Sequence, residues 1–210
     1  MRYSRSRMIF GKDFEKIQNA KVLLLGVGGV GGFCLDCLFR SGVSDITIVD
    51  FDTFEESNQN RQLGSDALGE VKVEHFKKQY PSIMIHNEKV TPEWCESFDF
   101  SSYDLVIDAI DDMKAKVALA HHVGDKMVAS MGGAKRLDPS QIEMCSIWKT
   151  HGDALAKKFR YELKKSGFKG KFDVVFSSEL PHCTEMGSFM GVTGSFGLAL
   201  CSLAIKKLRE

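Results

Sequence analysis

The sequence predicts an α/β fold, a doubly wound and mostly parallel sheet with a C-terminal strand–helix extension. Three observations carry that prediction. Short apolar runs alternate with helical patterns through the first two thirds of the chain, and such alternation calls for a parallel sheet covered on both faces. The first run passes directly into a glycine-rich turn, VLLLGVGGVGG, and then a helical pattern, which is the context of a phosphate-binding turn. Asp50 closes the second run, about 20 residues further on, where a carboxylate is placed to accept hydrogen bonds from a ribose.

Taken in order, the strands are expected at Val22–Leu25, Asp45–Asp50, Ile83–Val90, Leu105–Ala109 and Met127–Met131, with helices at Gly32–Ser41, Glu70–Tyr80 and Lys114–Gly124 between them. After Gly132-Gly133 the pattern changes. Gln141–Trp148 and Phe172–Ser178 read as two more strands that bracket a charged helix. Asp153 suits the N-cap of that helix and Gly167 its stop, and Leu155, Phe159 and Leu163 recur every four residues as a core-facing stripe. Gly191–Leu208 alternates glycine with apolar residues and reads as a buried terminal helix. No repeat or low-complexity linker interrupts the chain. One unit is therefore expected over residues 1–210, with a nucleotide-binding core at about 20–135 and an extension at about 136–210.

Composition narrows the function classes. The 210 residues carry 28 basic and 28 acidic side chains, a formal net charge of zero, so no global field recruits a polyanion and any nucleic-acid surface must be local. The opening MRYSRSRMIFG lacks the apolar run of a signal peptide, and no window approaches the ~20 apolar residues of a membrane span. Six cysteines are too sparse for a disulfide scaffold at this length. A cytoplasmic protein with reduced thiols and no membrane contact is the expectation.

The glycine loop suits a nicotinamide dinucleotide and ATP equally well. The discriminating segment runs from Asp50 to Glu74. Ser57, Asn58, Asn60, Arg61 and Gln62 crowd together there, and Lys72 opens the next helix. A dehydrogenase has no use for such a cluster, whereas a guanidinium fork and a mobile ammonium neutralise charge on a triphosphate. The bland alternative is a solvated polar loop. In IDAIDD, at the end of an apolar strand, Asp108 and Asp111 are spaced to face a magnesium ion carried by nucleotide phosphates; a helix N-cap is the competing role for either.

GVGGVG, VDFD, SNQNRQ, GEVKVE and IDAIDD, in this order and spacing, resemble the ATP-dependent activating enzymes related to ubiquitin-activating enzymes and the bacterial ThiF and MoeB proteins. The resemblance implies a Rossmann-like adenylation fold using ATP and magnesium. It also implies that Gly26, Gly28, Gly29 and Gly31 line the nucleotide and that Asp50 takes the ribose. Asn58, Arg61 and Lys72 would surround the triphosphate, with Asp52, Gln62 and Asp108 in the same nucleotide-binding set. Asp111 would organise the metal and the reacting phosphate. Family members are homodimers or pseudo-dimers, and an N-terminal arginine, here Arg5 or Arg7, would enter the partner's site. Arg61, Lys72, Asp111 and Arg7 are thus the expected catalytic residues. The sulfur-carrier branch usually has two CxxC pairs for zinc; this chain has only Cys34 and Cys37, in FCLDCLF, where core filling is the simpler role.

The second half, from SMGGAKRLDPSQIEMCSIWKTHG to FDVVFSSELP, is similar to the tRNA threonylcarbamoyladenosine dehydratases. That branch activates the carboxylate of threonylcarbamoyl-adenosine beside the anticodon with ATP, and the side chain closes with loss of water. A sulfur-relay protein is a further implied partner. The residues agree with an RNA substrate: between Lys149 and Lys171 eight Lys/Arg face two acids, a local charge of +6. Lys157, Lys158, Arg160, Lys164 and Lys165 form one helical arc suited to phosphates. Cys183, in PHCTEMGSF beside His182, stands as a candidate nucleophile, although ring closure needs only an activated carboxylate and an internal nucleophile. The Ser178–Ser188 stretch is shorter than in longer relatives. The rival readings are an adenylyltransferase for a ubiquitin-like sulfur carrier, a nicotinamide-dependent oxidoreductase, and a non-catalytic tRNA-binding relative. The last would be expected to lack some of Arg61, Lys72 and Asp111.

Overall fold

The computed structural model describes residues 2–210. Its strands are β1 (Lys21–Leu25), β2 (Asp45–Val49), β3 (Met84–His86), β4 (Leu105–Asp108), β5 (Met127–Ser130), β6 (Ile142–Ser146) and β7 (Asp173–Ser177). They form one seven-stranded sheet in the order β3-β2-β1-β4-β5-β7-β6, parallel throughout except for the β6–β7 pair. The doubly wound fold expected from the sequence is the fold observed. The C-terminal extension continues the same sheet, because β7 adds in parallel to β5.

Side chains alternate across the sheet, so each inner strand feeds two cores. Val22 and Leu24 of β1 pack under α2 (Phe14–Asn19), α3 (Gly31–Ser41), α4 (Lys72–Gln79) and α8 (Met190–Arg209). Leu23 and Leu25 pack under α5 (Pro92–Ser97), α6 (Met113–Val123) and α7 (Ala154–Lys165). Burial on both faces is why these strands are continuous apolar runs. The third strand is the main shortfall: only three residues of the expected Ile83–Val90 pair, because β3 is an edge strand and Asn87, Glu88 and Lys89 lie exposed.

Three short helices escape the sequence pattern: α1 (Ser4–Phe10), α2 and α5, each seven residues or fewer. Two turns give too little periodicity to detect. In α7 the core stripe is Ala156, Phe159 and Leu163, with the expected Leu155 half-buried against Gly132. The alternating glycines of α8 serve close packing. A Cβ on Gly197 would lie 2.4 Å from the carbonyl oxygen of Val30 at the start of α3. Cys34 is buried within this contact and Cys37 partly so. Among the described residues no helix is long and apolar enough to cross a membrane.

Candidate active site

The strand order reverses at β1, and ligands of open α/β sheets bind in the crevice outside the strand ends at that point. The glycine loop lies there. Gly26 has φ +86°, and a Cβ on it would stand 2.7 Å from Ala109 O at the end of β4. A Cβ on Gly31 would stand 1.9 Å from Gly26 O, so the turn folds back through space that only a hydrogen fits. Gly28 and Gly29 face outward, toward the polar segment: their Cβ positions are 3.7 Å from the Gln62 amide and 3.3 Å from Arg61 Cγ.

Local hydrogen bonds hold that segment against the loop. Thr53 bridges to Val71, and Phe54 N donates to Glu70 O over 2.9 Å. The buried Asn58 accepts from Glu55 N at 3.2 Å and so fixes a tight helical turn. Asp50 accepts from Val27 N (2.8 Å) and Asp52 N (2.9 Å), which staples the glycine loop to the end of β2. Arg61 Nη1 donates to Ser57 O (2.7 Å) and Asn60 Oδ1 (2.8 Å), while Nε and Nη2 make no hydrogen bond among the described residues. Lys72 is 4% exposed, with Nζ 3.1 Å from Asp52 Oδ2. Beside Gly28, the buried Gln62 Oε1 has no donor.

Asp108 requires a correction. It does not face the crevice with Asp111; it is fully buried, with Oδ2 2.9 Å from Lys116 Nζ and Oδ1 accepting from Ile110 N at 3.2 Å. Lys116 Nζ also donates to Ile110 O and Ser130 O, and burial pushes the Asp108 carboxyl up against the pull of that ammonium. Its work is to tie the ends of β4 and β5 to α6. Asp111 is exposed at the rim. The N-cap role falls instead to Asp112, which accepts from Ala115 N at 2.8 Å.

Arg7 is exposed on α1, its guanidinium 4.2 Å over the Phe14 ring and 3.3 Å from Gln18 Oε1. This is the N-terminal edge of the sheet, opposite the crevice of its own chain. Arg5 is exposed on the same helix.

In the C-terminal half, Cys183 is exposed, and its thiol points to Glu185 O at 3.4 Å. His182 does not activate it: that ring meets Glu179 Oε1 at 2.7 Å. The loop that bears them is clasped from both sides. Asn60, next to Arg61, donates to Ser188 O (3.0 Å), and Lys135 exchanges backbone hydrogen bonds with Gly187 and His182 (2.9 Å each). Lys135 has φ +66°, the one non-glycine residue of positive φ among those described, so backbone strain is concentrated at this clasp. On α7, Lys157, Lys158, Lys164 and Lys165 are exposed as expected. Arg160 departs from the expected arc; it is half-buried and donates to Thr150 Oγ1.

Two groups escaped the sequence reading. Lys116 was legible, since it falls in phase with Ala115, Leu119, Ala120 and Val123 on the buried side of α6, where a lysine requires a counter-charge. Arg136 was not. It is buried and bonds Gly132 O, Asp153 Oδ2 (2.8 Å), Ser177 O (3.1 Å) and Glu179 O (3.3 Å), partners up to 43 residues away.

The sequence profile of the ThiF family matches residues 3–210. The chain belongs to the ThiF family. Within it, the chain is 37% identical over 191 residues to the tRNA threonylcarbamoyladenosine dehydratase of Bacillus subtilis, covering 85% of this chain and 75% of that one. The crystal structure of E. coli tRNA N6-threonylcarbamoyladenosine dehydratase, TcdA, in complex with ATP superposes with a TM-score of 0.90 at 31% identity, over 99% of this chain and 93% of that one. A further likeness, to E. coli MccB with ATP, has a TM-score of 0.65 at 18% identity over 100% of this chain and 64% of that one, and reports the fold alone. The family and the adenylation-type fold expected from the five motifs are both borne out.

Proposed function

We propose that this ThiF-family protein is an ATP-dependent tRNA threonylcarbamoyladenosine dehydratase, acting in the cytoplasm through adenylation of the threonyl carboxylate. The observation that carries the reading is the near full-length likeness to a dehydratase solved with ATP. The crevice supports it: Gly26 and Gly31 of the cradle admit no Cβ, Arg61 has uncommitted donors, and Gln62 Oε1 lacks a donor of the kind a nucleoside hydroxyl or amino group supplies.

ATP supplies a phosphorus electrophile that turns a carboxylate oxygen into a leaving group. The chain's own residues bind and position. Amides of the loop at Gly26, Gly28, Gly29 and Gly31, where α3 begins, receive phosphate oxygens, and Asp50 faces the ribose. Arg61 takes phosphate oxygens through its uncommitted N–H groups, and Lys72 exchanges Asp52 for them, so both offset charge as pyrophosphate leaves. Asn58 holds the turn that presents Arg61. Asp111 at the rim is the carboxylate for magnesium, whose other ligands would be phosphate and water. Arg7 lies on the far edge of its own sheet, so it reaches a crevice only in a second copy; the exposed Met8 (81%) and Ile9 (77%) beside it suit burial in a homodimer. Lys157, Lys158, Lys164 and Lys165 hold the tRNA backbone. Ring closure by the carbamoyl group of the same nucleoside expels AMP, and being intramolecular it needs no acceptor protein. Cys183 then serves the loop's contact with substrate rather than covalent catalysis, and Cys183→Ser is expected to keep turnover.

The test is to incubate the protein with ATP, magnesium and tRNA bearing threonylcarbamoyl-adenosine, then weigh the released nucleoside. Loss of one water, dependent on ATP and reduced about 10²- to 10³-fold in rate by Arg61→Ala, is the expected result. An unchanged nucleoside together with ATP–pyrophosphate exchange on a small carrier protein would transfer the chain to the sulfur-carrier branch.

A further inference from the structure

The outward face of α7 carries more than charge. Ala156, Phe159 and Leu163 anchor the helix, and Lys157, Lys158, Lys164 and Lys165 are exposed on the other side. At ~100° per residue these four lysines span an arc of ~120°, and Tyr161 falls at its midpoint. Tyr161 is 63% exposed.

The other three tyrosines of the chain are tied to it. Tyr3 donates its hydroxyl to Phe39 O (3.5 Å), Tyr80 to Asp36 Oδ1 (2.5 Å) and Tyr103 to Thr47 Oγ1 (3.1 Å). Among the described residues the Tyr161 hydroxyl makes no hydrogen bond and its ring meets no other aromatic ring. A bare ring at the midpoint of an arc of four exposed lysines gains nothing within the fold. It matches a strand of nucleic acid whose base stacks on the ring while adjacent phosphates meet the lysines. A paired base presents no face to such a ring, since stacking and pairing in the helix cover it.

We infer that Tyr161 is a stacking platform for an unpaired base and that the lysines around it take the flanking phosphates, so that α7 selects single-stranded RNA segments over duplex. The inference rests on the tRNA reading above and narrows it: the helix reads a loop, and an aromatic face provides the selectivity.

Fluorescence anisotropy at one fixed ionic strength tests it, using the full chain with a labelled RNA hairpin bearing an unpaired loop and a fully paired RNA duplex of equal length. Tyr161→Ala is expected to weaken hairpin binding about tenfold and leave duplex binding within about twofold, while Tyr161→Phe binds as the unsubstituted chain does. Lys157→Ala is expected to weaken both RNAs alike, as a phosphate contact does. Equal hairpin affinity in Tyr161→Ala, equal loss on both RNAs, or a loss in Tyr161→Phe as large as in Tyr161→Ala would each overturn the platform. If those results accompany dehydration of the tRNA nucleoside, only the platform fails. If the unsubstituted chain binds neither RNA, the tRNA reading fails with it.

Discussion

The two ends of this molecule's chemistry are built in opposite ways. The crevice wall, from Leu25 to Gly31 and from Asp50 to Lys72, is fixed by clearances and by buried polar groups: positions where a Cβ has no room, and Asp108–Lys116 sealed in the floor. The C-terminal surface, α7 and the loop at 178–189, is made of exposed side chains on a frame held from beneath by Arg136 and Glu179. On the proposed function this division is apt: a triphosphate, small and identical from one turnover to the next, suits a rigid cradle, and an RNA, whose contacts are spread out, is met by many weak, replaceable groups. Substitutions in the first region should therefore cost fold and function together, and in the second should separate them.

The largest expected effect is at the floor of the crevice. Lys116→Ala leaves the Asp108 carboxylate buried without its partner and should destabilise the protein by about 3–5 kcal/mol in denaturant unfolding. Replacing both, as Asp108→Leu with Lys116→Met, should recover most of that loss; a double variant as unstable as the single would show that the pair is not acting as a unit. Next comes Gly31→Ala, which drives a methyl into Gly26 O and should cost about 3 kcal/mol while abolishing ATP binding measured by calorimetry. Retained binding there would mean that the loop has slack, and the contrast with the C-terminal surface would weaken.

The smallest effect is in the clasp beneath the second region. Burial works to raise the Glu179 carboxyl, but the amides of Leu137 and Asp138 and the His182 ring outweigh it and hold it below its usual 4.5. A depressed carboxylate contributes stability that is full above that ordinary value and is lost as pH falls through the lower folded one. Glu179→Gln should therefore flatten the acid limb of the stability–pH curve and leave ATP binding near neutral pH unchanged. An unaltered acid limb would place the acid sensitivity elsewhere.

Legibility followed the range of each interaction. The buried strands announced themselves because burial on both faces forces unbroken apolar runs, and the glycine loop because its backbone admits no alternative at Gly26 and Gly31. The α7 cap at Asp153 and its stop at Gly167, which has φ +77°, were readable because capping acts within one turn. The errors have an equally physical origin. Asp108 and Asp111 look alike on paper, yet Asp108 is the last residue of β4 and is held beneath α6 by Lys116, whereas Asp111 lies beyond the strand in the exposed turn, so one carboxylate is sealed and the other exposed. Arg160 belongs to the basic arc by composition, but the nearby Thr150 hydroxyl captures it.

The sequence by itself determined the doubly wound sheet, the glycine loop, the polar cluster around Arg61 and Lys72, and the basic helix, because each is specified by neighbours within a few residues. Only the tertiary structure decided which carboxylate is buried against Lys116, that Asn60 and Lys135 clasp the Cys183 loop, and that Arg7 lies on the far edge of its own sheet. The clasp joins residues up to 128 positions apart; Asp108 and Arg7 meet partners close in sequence, but which way each faces is set only once the strands and helices have been placed side by side.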